Sequence, residues 1–270
     1  MKICNFEIGN DKPFFLIAGP CVIESEKIAL ESAFLLKEIT TSLKINFIYK
    51  TSFEKANRTS ANSYMGPGFY ESLRILNKIR NEIKVPILTD VHEYTPYDEI
   101  ATIVDVLQTP AFLCRQTNFI KRVMEQNKPV NIKKGQFLSP WEMKFVVEKA
   151  QTTGNNQIMV CERGITFGYN NLVVDMRSLE IMKETNCPVI FDAGHSVQYP
   201  GIGYASGGKR DFIPILAKAA IAVGIAGLFI ETHPNPDQAL CDGPNMLSIT
   251  DIKSLLTVLQ EIDLVVKKHK

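Results

Sequence analysis

Two groups of residues in this chain could do chemistry. The first is cationic. The segment KTSFEKANRTS (50–60) places Lys50, Lys55 and Arg58 within nine residues, and Lys133 and Arg163 follow, each at or just beyond the end of an apolar run. Cations gathered around one cavity repel one another unless anions occupy it, so this group points to one or two compact substrates bearing phosphate and carboxylate. A nucleic-acid surface is the competing reading. It would show a broad basic stripe with exposed aromatics, whereas these cations come from separate segments and the chain carries 30 basic against 29 acidic residues. Ordinary solvated lysine explains any one of them, but poorly explains Lys50 and Lys133, which terminate apolar runs.

The second group is Cys21, His195, Glu231 and Asp242. A thiol, an imidazole and two carboxylates form a mixed soft and hard ligand set suited to zinc, iron(II) or manganese. Structural zinc sites more often use closely spaced cysteine pairs, so such an ion would be catalytic. From spacing alone the alternatives stay open: Cys21 also suits packing or an unmetallated nucleophile, and His195 a hydrogen bond to phosphate. His92 and Cys161 read equally well as packed residues. Asn57-Arg58-Thr59 matches the glycosylation pattern, which a cytoplasmic chain never presents to that machinery. His233-Pro234-Asn235-Pro236 pins the loop leading to Asp242.

The elements that must position these groups are short apolar runs: FFLIA (14–18), INFIYK (45–50), VPILTD (85–90), VDVLQ (104–108), PVNIK (129–133), IMVCE (158–162), PVIFD (188–192) and GLFIE (227–231). Between them lie stretches with apolar residues at three and four, including 28–40, 69–80, 140–150 and 211–224, and a last one over about 250–266. Strand then helix, repeated, means a parallel sheet with crossover helices. Eight units in 270 residues, with strands apolar on both faces, predict one (β/α)8-barrel domain over 1–270, its first ten residues a small cap over the barrel floor. A doubly wound dinucleotide fold would need G-x-G-x-x-G after the first strand. That strand instead ends in AGPCVIES, and the nearest approach, GIGYASGG (201–208), has Ser206 in place of the third glycine.

In a barrel the loops after the strands build the site, and the polar residues sit there: Cys21, Lys50 with Lys55 and Arg58, Asp90 and His92, Arg115, Lys133, Glu162 and Arg163, Asp192 and His195, Glu231 and Asp242. The start of the chain lacks an apolar run of signal-peptide length, and no stretch approaches the roughly 20 apolar residues that span a bilayer. Six scattered cysteines without a C-x-x-C pair read as thiols. The expectation is a cytoplasmic enzyme with neither nucleic acid nor membrane as partner.

The segments IAGPCVIES (17–25), KTSFEKANRTS, LTDVHE (88–93), NIKKGQFLSP (131–140), CERGITFGYNNLVVDMR (161–177), FDAGHSVQYPG (191–201) and ETHPNPDQALCDGPNML (231–247) together resemble the 3-deoxy-D-manno-octulosonate 8-phosphate synthases over essentially the whole chain. That family condenses phosphoenolpyruvate with D-arabinose 5-phosphate on the way to the lipopolysaccharide sugar. The related synthases that use D-erythrose 4-phosphate are the alternative; their lysine-arginine loop typically reads K-P-R-T, while this chain has Lys55-Ala56-Asn57-Arg58-Thr59-Ser60. The resemblance implies that Lys55, Lys133 and Arg163, with Ala111-Phe112, bind phosphoenolpyruvate. It implies that Asn57, Arg58 and Ser60 hold the sugar phosphate, and that Lys50 and Asp90 lie near the aldehyde. Cys21 is similar to the first-loop cysteine of the metal-dependent class, which implies a divalent ion on Cys21, His195, Glu231 and Asp242. The catalytic candidates are then Lys50, as proton donor to the new alkoxide, with Asp90, and His195 or Asp242 for the attacking water. A homotetramer with Phe112 and Arg115 near a subunit contact is implied as well. A binding protein without activity would show a hole in the cation, Asp90 and His195 set, and the set is complete.

Overall fold

A computed structural model describes residues 1–58, 60, 62–200 and 207–269. Thr59, Ala61, residues 201–206 of the GIGYASGG segment with Ser206, and Lys270 lie outside the described residues. Each of the eight apolar runs forms a strand: β1 Phe15–Gly19, β2 Phe47–Lys50, β3 Ile87–Asp90, β4 Val106–Thr109, β5 Val130–Lys133, β6 Ile158–Glu162, β7 Val189–Asp192 and β8 Gly227–His233. They pair in parallel in chain order. Two last pairings close the ring, Ile190 of β7 opposite Gly227 of β8 and Leu228 of β8 opposite Leu16 of β1, giving a (β/α)8 barrel.

Among the described residues eight α-helices surround it: α1 Glu26–Leu43, α2 Phe69–Glu82, α3 Tyr97–Ile103, α4 Thr117–Met124, α5 Met143–Gln151, α6 Arg177–Lys183, α7 Ile213–Val223 and α8 Ile249–Lys268. In α1 the buried residues Ala29, Ala33, Leu36 and Thr40 recur at four, three and four, the helical period that lays one stripe on the barrel. Ser25 caps its first turn by accepting the Ile28 N–H, and Lys44 ends it in the left-handed conformation.

The period-two alternation of a strand divides the core into two layers. Leu16, Phe47, Tyr49, Ile87, Leu107 and Val160 face outward beneath the helices. Ile17, Ile48, Leu88, Val106, Met159, Ile190 and Phe229 face inward and fill the barrel. The hairpin of Lys2–Ile3 and Phe6–Glu7 puts Ile3 and Ile8 against this inner layer, and Phe6 lies 6.1 Å from the Phe15 ring, so the opening residues plug the amino-terminal end as expected. The same alternation carried two residues further turns Lys50, Asp90, Gln108, Asp192 and Glu231 inward, one layer above Ile48, Leu88, Val106, Ile190 and Phe229. A barrel packed shut below and polar above is thereby fixed by strand register alone.

Candidate active site

The polar layer above the inner core is held by paired charges. Lys50, fully buried, donates to Glu231 Oε1 at 2.5 Å and to the Cys21 carbonyl at 3.1 Å. Lys133 donates to Asp192 Oδ2 at 2.7 Å and stands 4.0 Å from the centre of the Phe229 ring. Its neighbour Lys134 points the other way, to Glu162 at 3.3 Å and to the carbonyls of Leu138 and Gly164, so alternation separates a cavity lysine from a structural one. Glu162 in turn accepts the Arg163 and Gly164 N–H groups at 2.8 and 2.6 Å, which fixes the loop that carries Arg163.

Asp90 accepts from the Ser52 hydroxyl and from Gln108 Nε2, and Gln108 is itself held by Asn131 at 2.7 Å. Lys50 and Lys55 each lie 3.8 Å from Asp90 Oδ2. Burial alone would raise the Asp90 carboxyl, but Lys50, Lys55 and Lys133 outweigh it and hold it well below the usual carboxylate range. Glu231 behaves alike: burial pushes up, Lys50 and His195 push down further, and the carboxyl settles at about 2. Burial opposes the charge on Lys55 and Lys133 too, and the surrounding anions reverse it, leaving both raised.

Gly19 ends β1 where it meets Lys50: at φ +155° a side chain is strained, and a Cβ there would overlap the Lys50 carbonyl. The loop after β2 then runs over the barrel mouth with Lys55, Asn57 and Arg58. These side chains, with Lys50, Asp90, Ala111, Phe112, Lys133, Arg163, His195 and Asp242, line one cavity of about 340 Å³. Ser60 is not among the lining residues; it accepts the Asn62 N–H at 3.3 Å. His92 lines the cavity but has its Nε2 3.2 Å from the Glu54 carbonyl, and Cys161 is packed in the inner core. Gln136 and Gln198 also line the cavity and were not singled out from sequence, glutamine being too common on loops to signal.

Protein carboxylates supply part of the counter-charge that the cations call for. Lys50 pairs with Glu231, Lys55 with Asp90, Lys133 with Asp192, and Arg58 with Asp242 at 3.8 Å. Arg163 differs: its Nη2 donates to Gln198 Oε1 at 2.9 Å, its Nη1 is buried without a hydrogen-bond partner, and no ion pair to it is seen among the described residues. Burial lowers this guanidinium from its usual value. An anion seated here would satisfy a donor that the protein leaves open.

The ligand candidates lie at the cavity wall, His195 and Asp242 lining it. His195 follows β7; its Nδ1 is 2.9 Å from Asp192 Oδ2, and its Nε2 faces Glu231 Oε2 at 3.8 Å and Asp242 Oδ2 at 4.0 Å. Cys21 Sγ is 3.3 Å from Asp242 Oδ2. Asp242 sits at φ +50°, a left-handed conformation that aspartate tolerates better than most residues and that turns its carboxylate toward the cluster. The carrying loop is tied down by Glu24, which accepts the Leu240 N–H at 2.9 Å and lies 3.4 Å from His233 Nε2; His233 Nδ1 accepts the Asn235 N–H at 3.0 Å. Sequence reading missed Cys241, whose Sγ is 2.9 Å from that of Cys21, and the double role of Asp192; both depend on contacts between loops far apart in the chain.

The residues fit a divalent ion on their own chemistry. Soft and hard donors face one another, and Glu231 Oε2 is buried without a hydrogen-bond partner.

The sequence profile of the DAHP synthetase I family matches residues 2–268. The chain belongs to the DAHP synthetase I family. Within it, the chain is 65% identical over 270 residues to the 2-dehydro-3-deoxyphosphooctonate aldolase of Francisella tularensis subsp. novicida strain U112. It is 64% identical to the protein of that name from Xanthomonas campestris pv. campestris strain B100 and 63% identical to that of Stenotrophomonas maltophilia strain K279a. In each case all of this chain and 98% of the relative are covered. This chain is a (β/α)8-barrel enzyme, and among its described residues no helix is long and apolar enough to cross a membrane.

Proposed function

We propose that the chain condenses phosphoenolpyruvate with D-arabinose 5-phosphate and water to give 3-deoxy-D-manno-octulosonate 8-phosphate and inorganic phosphate. The activity follows from full-length relatives at 63–65% identity that bear the aldolase name. The observation in the site that carries it is Arg163, whose buried open donor stands in the same cavity as Lys133 and Lys55. This end takes phosphoenolpyruvate, with the Ala111-Phe112 segment as its wall. Asn57 and Arg58 cross the mouth and take the sugar phosphate, Arg58 pairing with the phosphate and Asn57 with hydroxyls; Ser60 supports their loop. The alternative acceptor, D-erythrose 4-phosphate, is one carbon shorter and leaves the Asn57 contact unused.

Holding both substrates in one cavity supplies the orientation that a bimolecular carbon–carbon bond needs. C3 of phosphoenolpyruvate attacks the aldehyde carbon, positive character builds at C2, water adds there, and the C–O bond to phosphate breaks. Lys50 gives a proton to the new alkoxide, a role supported by its ion pairs to Asp90 and Glu231, which keep its ammonium group oriented. Water for C2 is positioned from the wall made by His195 and Asp242. Cys21, His195, Glu231 and Asp242 would hold zinc, iron(II) or manganese, which supplies an electrophilic centre and neutralises substrate charge when bound.

The working enzyme is a homotetramer of the cytoplasm. In support of the assembly, Phe112 is half exposed while also lining the cavity, and the Arg115–Glu142 pair at 3.3 Å joins its segment to that of the exposed Trp141. The test of the reaction is mass analysis of the product made from phosphoenolpyruvate and D-arabinose 5-phosphate. An eight-carbon phosphorylated keto acid formed in equal amount with inorganic phosphate is expected. Phosphate without that acid would contradict the assignment.

A further inference from the structure

The four candidate ligands do not stand alone. The donor atoms of His195, Glu231 and Asp242 lie within 4.8 Å of one another, and so do those of Cys21, Cys241 and Asp242. Asp242 is shared, so five donors converge on one region. The sulfurs of Cys21 and Cys241 are 2.9 Å apart, and Asp242 Oδ2 is 3.3 Å from the first and 3.4 Å from the second. Both cysteines are buried, at 1% and 2% exposure, so water does not account for their pairing.

Two further observations point to a ligand rather than to packing. Arg58 Nη1 donates to Cys241 Sγ at 2.8 Å, which fixes that sulfur facing the cluster. Glu231 Oε2 is buried, lacks a hydrogen-bond partner and faces His195 Nε2 at 3.8 Å. Two adjacent sulfurs and an open carboxylate oxygen together offer the mixed soft and hard donors that suit a divalent ion.

We infer that Cys241 is a metal ligand of this chain, so that a soft divalent ion in the cluster is held by two sulfurs, from Cys21 and Cys241, with Asp242 between them. The inference rests on the reading that the cluster holds a divalent ion. A second thiolate biases the site toward zinc or cobalt and away from manganese, which prefers oxygen ligands. It also ties the ion to the sugar-phosphate end of the cavity, because Arg58 touches the same sulfur.

The experiment is addition of Co²⁺ to the full-length, chelator-treated protein kept reduced, following thiolate-to-cobalt charge-transfer absorption and, by dialysis, bound cobalt. Cys241→Ser is expected to lose about half of the parent band while still binding cobalt, and Cys21→Ser about half likewise, since each removes one of two sulfur ligands. The double variant is expected to lose the band. Cys241→Ala serves as a second probe, and the thermal transition of each variant shows that it is folded. A band undiminished in folded Cys241→Ser would overturn the inference and leave the single-thiolate site intact. A parent protein that binds no cobalt would instead sink the metal reading beneath it.

Discussion

Asp192 does two jobs with one oxygen. Its Oδ2 accepts from Lys133 at 2.7 Å and lies 2.9 Å from His195 Nδ1, while Oδ1 accepts the His195 N–H at 2.9 Å. It therefore orients a cavity lysine and turns Nε2 of a ligand candidate toward Glu231 and Asp242. Asp192→Asn keeps the shape and removes the charge. It is expected to weaken metal binding about 10- to 100-fold, as loss of an outer-sphere carboxylate does, and to weaken phosphoenolpyruvate binding to the metal-free protein; calorimetry reads both, and an effect on only one would separate the two jobs. Asp90 gives a prediction in pH. Its folded pKa is depressed, so its contribution to stability is present above the unfolded value of about 3.9 and is lost as pH falls through the lower folded value. Asp90→Asn, which leaves Lys50 and Lys55 without this partner, is expected to cost about 3 kcal/mol near neutrality, and the gap to the parent should narrow below about pH 4. Urea unfolding across that range checks it; a gap that widens on acidification contradicts the pairing. At this scale the sequence was legible where chemistry sits at strand ends, as at Lys50, Asp90 and Glu231. It was silent on Cys241, which meets Cys21 only because two loops 220 residues apart fold together.

Among the elements, the strands were the most legible, because a run buried on both faces is apolar throughout. Helices α3 and α6, of seven residues each, and α4, of eight, were not singled out, since two turns carry too few positions to display a period. What periodicity does predict is direction: Lys133 inward and Lys134 outward follow from alternation along β5. The close approach of β1 to β2 yields a test of how strand ends set the site. Gly19→Ala must move the Lys50 carbonyl or its own backbone, a strain on the order of 1–3 kcal/mol, and the displaced strand end carries Lys50. Activity should fall more steeply than the thermal midpoint, and a variant as active as the parent would show that the Gly19 approach does not position Lys50.

The molecule as a whole exposes Phe112, Trp141 and Phe145 at 54, 62 and 60%, on segments that lead to the cavity wall. The proposed assembly of four copies is expected to cover them. Trp141→Glu is expected to lower the mass seen by light scattering without unfolding the barrel, since the side chain is not part of its core, and an unchanged mass would place the contact elsewhere. The barrel itself follows from the pattern of the chain; the identity of the acceptor depends on a few side chains at its mouth. The most direct measurement is therefore the rate of phosphate release from phosphoenolpyruvate with D-arabinose 5-phosphate or D-erythrose 4-phosphate as sole acceptor, before and after chelation and after return of zinc, iron(II) or manganese. Turnover with the arabinose compound, lost on chelation and restored by an ion, is the predicted result. Faster turnover with the erythrose compound would contradict the assignment of the Asn57-Arg58 loop, and turnover that survives complete metal removal would contradict the role given to Cys21, His195, Glu231 and Asp242.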